Sequence, residues 1–111
     1  MKFTNFSGVE IQIAEEAIEK LRRQFRESLA PFGLDKFVLD GGVRIVEMPG
    51  GKLLAEMRTM RLPVWYPDEL EKLRNAGFKV VTKIKWSKIH APCEMYWVQG
   101  AWEIGGKQIG N

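Results

Sequence analysis

The chain has 111 residues, of which 45% are apolar and 28% charged, and a net charge of +3 at neutral pH. That length and balance fit one globular domain spanning 1–111 and exclude a disordered tail, which would lack the apolar content to build a core. One Cys excludes an internal disulfide, no run is long enough to cross a bilayer, and no basic-then-apolar leader opens the chain, so a cytoplasmic protein with no membrane contact is expected.

The first element in chain order is "SGVEIQIAEEAIEKLRRQFRESLAPFG". Ile11, Ala14, Ile18, Leu21, Phe25 and Leu29 recur every three or four residues, which places them on one side of a helix. Ser7 with Glu10 has the spacing of a capping box, although "VEIQI" also alternates and allows a short strand with a later helix start. Glu16–Lys20 and Glu19–Arg23 are acid-first pairs four apart, Arg22, Arg23 and Arg26 suit a solvated face, and Pro31 and Gly33 close the element.

Strand-like segments follow: "FVL", "VRIVEM" and "KLLAEMRTMRL". Asp40-Gly41 can make a two-residue hairpin turn, or Gly41-Gly42 a bulge inside one longer strand. "MPGGK" is a turn, with Pro49 fixing φ and a glycine free to take positive φ. Leu53, Ala55 and Met57 share one face of their strand, and Glu56 and Arg58 the other.

"VWYPDELEKLRNAGFKVV" predicts a helix that starts at Pro67, with Asp68 and Glu69 in the turn where the dipole favours negative charge. Gly77 is placed for a left-handed helix end that lets Phe78 return onto Leu73. Trp65 and Leu70 have the spacing of a hydrophobic staple, which accounts for Trp65 without a ligand.

The last third alternates twice. Val80, Thr82, Ile84 and Trp86 point one way and Lys79, Lys83 and Lys85 the other. In the final strand, Tyr96, Val98, Trp102 and Ile104 alternate with Met95, Trp97, Gln99, Ala101 and Glu103, so both faces carry large apolar groups. Gly100 in its middle is a candidate bulge, and residues 105–111 read as a loosely held tail. The expected fold is therefore α+β, an antiparallel sheet of four to five strands with two helices packed on one face.

Few constellations in this sequence carry chemistry. His90, three residues from Cys93 across a turn, could reach the thiol, but no third group is identifiable to orient the imidazole, and one His and one Cys cannot close a zinc site. The glycine pairs lack the flanking pattern of a phosphate loop. No catalytic residue, metal site or cofactor is expected.

Charge is more informative. Residues 1–78 hold twelve Lys/Arg against twelve Asp/Glu, whereas 79–111 hold five Lys against Glu94 and Glu103. With Tyr96 and Trp102 under the helices, Trp97 should emerge on the uncovered face near Arg58, Lys83 and Lys85. An indole among cations on a bare sheet face has the character of a contact surface. The expected function is a non-catalytic binding module, engaging a protein partner or a second copy as a homodimer, with nucleic acid the weaker possibility. The alternative is a small-molecule protein for an aromatic ligand, with a pocket between sheet and helices lined by Trp65, Tyr66, Trp86 and Trp102 and oriented by Glu56 or Glu94.

Overall fold

A computed structural model describes residues 1–86 and 92–109, and the periodicities of the sequence account for most of its elements. The strand reading of "VEIQI" prevails over the capping box. β1 (Lys2–Thr4) pairs antiparallel with β2 (Glu10–Gln12), and helix α1 begins only at Glu15 and runs to Leu29. Ala14 is its N-cap and offers no side-chain acceptor, so the first turn relies on Glu15 and Glu16 facing the dipole. Ile18, Phe25 and Leu29 are buried along one stripe, each contributing about 1.5–3 kcal/mol of transfer free energy. The three arginines do not share one solvated face. Arg22 falls in line with Ile18 and Phe25, and its side chain is only 13% exposed, with Nε buried and unpartnered among the described residues. Its guanidinium reaches Glu19, which pairs with it rather than with Arg23. Arg26 reaches Asp40, and Arg23 is the exposed one of the three. A 3-10 turn through Pro31 and a left-handed Gly33 close the helix.

A second 3-10 turn (Asp35–Phe37) replaces the first part of "FVL". Then β3 (Arg44–Glu47) and β4 (Leu53–Arg58) form a hairpin through Gly50 and Gly51, both at positive φ. Asp40-Gly41 is not a hairpin turn. Val38 bridges Thr59, and Arg44 pairs with Glu56, so the chain from 38 to 47 follows the same edge of β4 with Gly41 and Gly42 in a short excursion between.

β5 (Leu62–Pro63) leads into α2 (Pro67–Asn75), which buries Leu70 and Leu73. Its C-terminus is a Schellman ending: Gly77 takes φ 96°, its amide donates to Arg74 O at 3.0 Å, and the Phe78 amide donates to Leu73 O at 3.2 Å. Phe78 then packs edge-on against Phe32. β6 (Lys79–Lys85) and the twelve-residue β7 (Cys93–Ile104) complete the sheet.

The strands form an antiparallel sheet in the order β3-β4-β7-β5, with β6 on the other edge of β7, and the fold is α+β as expected. Ile18, Phe25 and Leu29 of α1, Leu70 and Leu73 of α2, and Leu53, Ala55, Met57, Tyr96, Val98 and Ile104 of the sheet belong to one core. Both helices thus cover one face and leave the other open. Residues 105–109 are not a loose tail. β8 (Lys107–Gln108) pairs with β2 to make a second, three-stranded sheet, and the Ile109 amide donates to Glu10 O at 2.9 Å. Among the described residues no helix is long and apolar enough to cross a membrane.

The molecule is elongated, 56 × 33 × 23 Å, because the β6–β7 hairpin runs past the helices that cover its base. Ile84 and Trp86 are consequently 60% and 79% exposed.

Candidate binding face

β7 decides which side chains reach the open face. Its pairing with β4 from Gln99 to Ile104 and with β6 from Cys93 to Gln99 runs without interruption, so Gly100 is not a bulge. Tyr96, Val98, Trp102 and Ile104 therefore stay on the helix side throughout. Gly100 serves a different purpose there. The Trp102 indole folds back over it, so that a Cβ at position 100 would lie 2.3 Å from the ring. The same indole meets Phe25 edge-on at 5.3 Å between centroids.

Residues 93, 95, 97, 99, 101 and 103 face the other way. Across the strand pairs, Gln99 lies between Arg58 and Lys79, Trp97 beside Val81, Met95 between Pro63 and Lys83, and Cys93 beside Lys85. Sequence parity alone places Arg58, Lys83, Lys85 and Trp97 together on this face.

It does not predict Arg61. Arg58 and Arg61 are an odd number of residues apart, and in a regular strand they would point to opposite faces. From the Arg58–Gln99 pair to the Pro63–Met95 pair, however, one chain advances five residues while β7 advances four. The surplus residue is a bulge at Met60, whose amide turns outward to Phe37 O at 2.8 Å. Thr59, fully buried, closes it. Its amide donates to Val98 O at 2.9 Å, and its hydroxyl accepts the Val98 amide at 3.1 Å where a regular ladder would supply a carbonyl. The bulge brings Arg61 back to the face of Arg58. Both guanidinium carbons then lie over the Trp97 ring, at 5.9 Å for Arg58 and 5.3 Å for Arg61. The one signal in the sequence is Thr59, a hydroxyl residue in the middle of an apolar strand face.

Two clefts flank this ridge. One, of about 350 Å³, is lined by Gly42, Arg44, Glu56, Arg58, Trp97 and Gln99. The other, of about 450 Å³, is lined by Arg61, Lys83, Ile84, Lys85 and Met95. Glu56 is engaged by Arg44 at 3.3 Å. Among the described residues no carboxylate lies within ion-pair distance of Arg58, Arg61, Lys79, Lys83 or Lys85. The face is thus polarised: neutral or acidic near Glu56 and Glu103, and cationic from Gln99 to Cys93.

The aromatic pocket expected from the sequence does not assemble. Trp102 lies on the helix side and Glu56 on the open side of the same sheet, while Trp65, Tyr66 and Trp86 are 76%, 67% and 79% exposed. Glu94 is exposed too. Trp65 is equally not the staple its spacing suggests, because Leu70 is buried in the core while the indole stands in water. Two cavities on the helix side bring together other sets of residues instead. One of about 330 Å³ is lined by Pro31, Phe32, Leu34, Glu69, Lys72, Leu73 and Tyr96, and a more open one of about 530 Å³ takes in Gln24, Ser28, Phe78, Gly100 and Trp102. Burial and then the nearby Glu69 carboxylate push the Tyr96 phenol above its ordinary pKa.

Cys93 is an exposed free thiol at the start of β7, whereas His90 lies outside the described residues. Among those residues no three His, Cys, Asp or Glu side chains converge as a metal site would require. Comparison of the chain with protein-family models, with characterised proteins and with solved structures finds no match.

Proposed function

We propose that the protein is a non-catalytic binding module that takes an anionic macromolecular partner on the open face of its sheet. The Arg58–Trp97–Arg61 unit carries this reading. A guanidinium stacked on an indole gives up little further freedom on binding, and its N–H edge remains available to a carboxylate or phosphate. Two such groups without carboxylate partners, beside three lysines on the same face, make a site whose unmet requirement is negative charge. The same charge disfavours a homodimer through this face, since a twofold contact would set five cations against five.

Retention on immobilised heparin, a polyanion, tests the proposal. The Arg58→Ala/Arg61→Ala double variant should elute at clearly lower salt than the wild-type chain. Arg23→Ala, which removes an exposed charge from α1, should shift elution far less. Light scattering at low salt should give the monomer mass. Equal elution of all three proteins removes the support for this face.

A further inference from the structure

Resting on that reading, we infer that the partner is a single-stranded nucleic acid lying along β7, its phosphates on the cationic lane and a base stacked on Trp65. The lane has a direction. Arg58 and Lys79 stand level with Gln99, Arg61 beside Trp97, Lys83 level with Met95 and Lys85 level with Cys93. Successive levels are two residues apart, so the lane is about 20 Å long at about 3.4 Å per residue. Two residues of extended polypeptide and one nucleotide contain the same number of backbone bonds. Cations at alternate strand positions can therefore follow an unstacked phosphodiester chain step for step. Lys83 and Lys85 share one cleft with Arg61, which gives that chain a trough rather than a flat sheet.

The far end of the lane separates nucleic acid from an acidic protein. The Val64 amide donates to Glu94 O at 3.0 Å, so Trp65, the next residue, arrives at the level of Cys93 and Lys85. Its indole is 76% exposed. An exposed flat ring at the end of a cationic track is what an unpaired base can stack on, at an energy that tolerates any base. A duplex keeps its bases inside, and a run of acidic residues alone, such as polyglutamate, has no ring to offer, so neither uses Trp65, whereas every nucleotide of a single strand brings one.

The experiment is fluorescence anisotropy of an end-labelled twelve-nucleotide oligothymidylate and its oligouridylate equivalent, titrated with the full chain at low salt. A twelve-base-pair duplex and polyglutamate serve as competitors. The expected result is binding that the single strand competes best, with a log–log salt slope of about −2 to −4 for three to five neutralised phosphates. Trp65→Ala should weaken it about tenfold with no change in thermal unfolding, and Arg58→Ala/Arg61→Ala tenfold or more. Binding indifferent to Trp65→Ala, or competed equally by duplex or polyglutamate, overturns the inference. Failure of both single strands to bind, with heparin retention still dependent on Arg58 and Arg61, overturns it and leaves the binding-module reading standing. Loss of that dependence as well removes both.

Discussion

Trp97 and Trp102 lie five residues apart on one strand and serve opposite ends. Trp102 leans over Gly100 against Phe25 and belongs to the packing of α1 on the sheet. Trp97, on the other face, has no helix over it and holds two guanidinium groups instead. The same residue type yields folding free energy on the covered face and a preorganised charged surface on the bare one. What differs is the neighbour: an apolar helix stripe excludes water, whereas the open face keeps water and cations together.

The largest expected effect tests that contrast directly. Trp102→Ala should cost about 3 kcal/mol of stability in urea unfolding, the lower end for a large aromatic because this indole is only partly buried. Trp97→Ala should cost about 1 kcal/mol or less while lowering the salt needed to elute the chain from heparin. Equal stability losses for the two would erase the difference between the faces. Gly100→Ala comes next. Its Cβ would meet the Trp102 ring at 2.3 Å, so the indole must leave its place on Gly100, for an overpacking cost of about 2 kcal/mol. Near-UV circular dichroism should report the change in indole environment. The smallest effect sharpens the open side. Thr59→Val keeps the shape but leaves the buried Val98 amide without its hydroxyl acceptor, at about 1–2 kcal/mol. By loosening the bulge it should also weaken heparin retention, and Thr59→Ser should restore both.

How much of this is legible in the sequence varies with the range of the interaction. The Schellman ending at Gly77 and Phe78 is local chemistry and is readable as such. So is the alternation that puts Lys79, Lys83 and Lys85 opposite Val80 and Thr82. Gly100 misleads because a glycine inside a strand signals a bulge or a close approach, and only the path of the Trp102 indole chooses between them. Trp65 misleads in the other direction. Its spacing from Leu70 permits a staple, but Leu70 is drawn into the core beneath α2 and the indole is left outside. The 105–109 segment reads as a tail because nothing in its own residues reveals that β2 offers it an edge.

By itself the sequence determined the α+β class, the two helices, and the sidedness of β6 and β7. Each of these follows from periodicity, which is set by backbone geometry within a few residues. Only the tertiary structure decided that Met60 is surplus to the ladder. That in turn puts Arg61 beside Arg58 over Trp97, because the bulge depends on a hydroxyl at Thr59 finding an amide thirty-nine residues away. A long-range hydrogen bond leaves no periodic trace, so the charged clamp it creates is visible in space and nowhere along the chain.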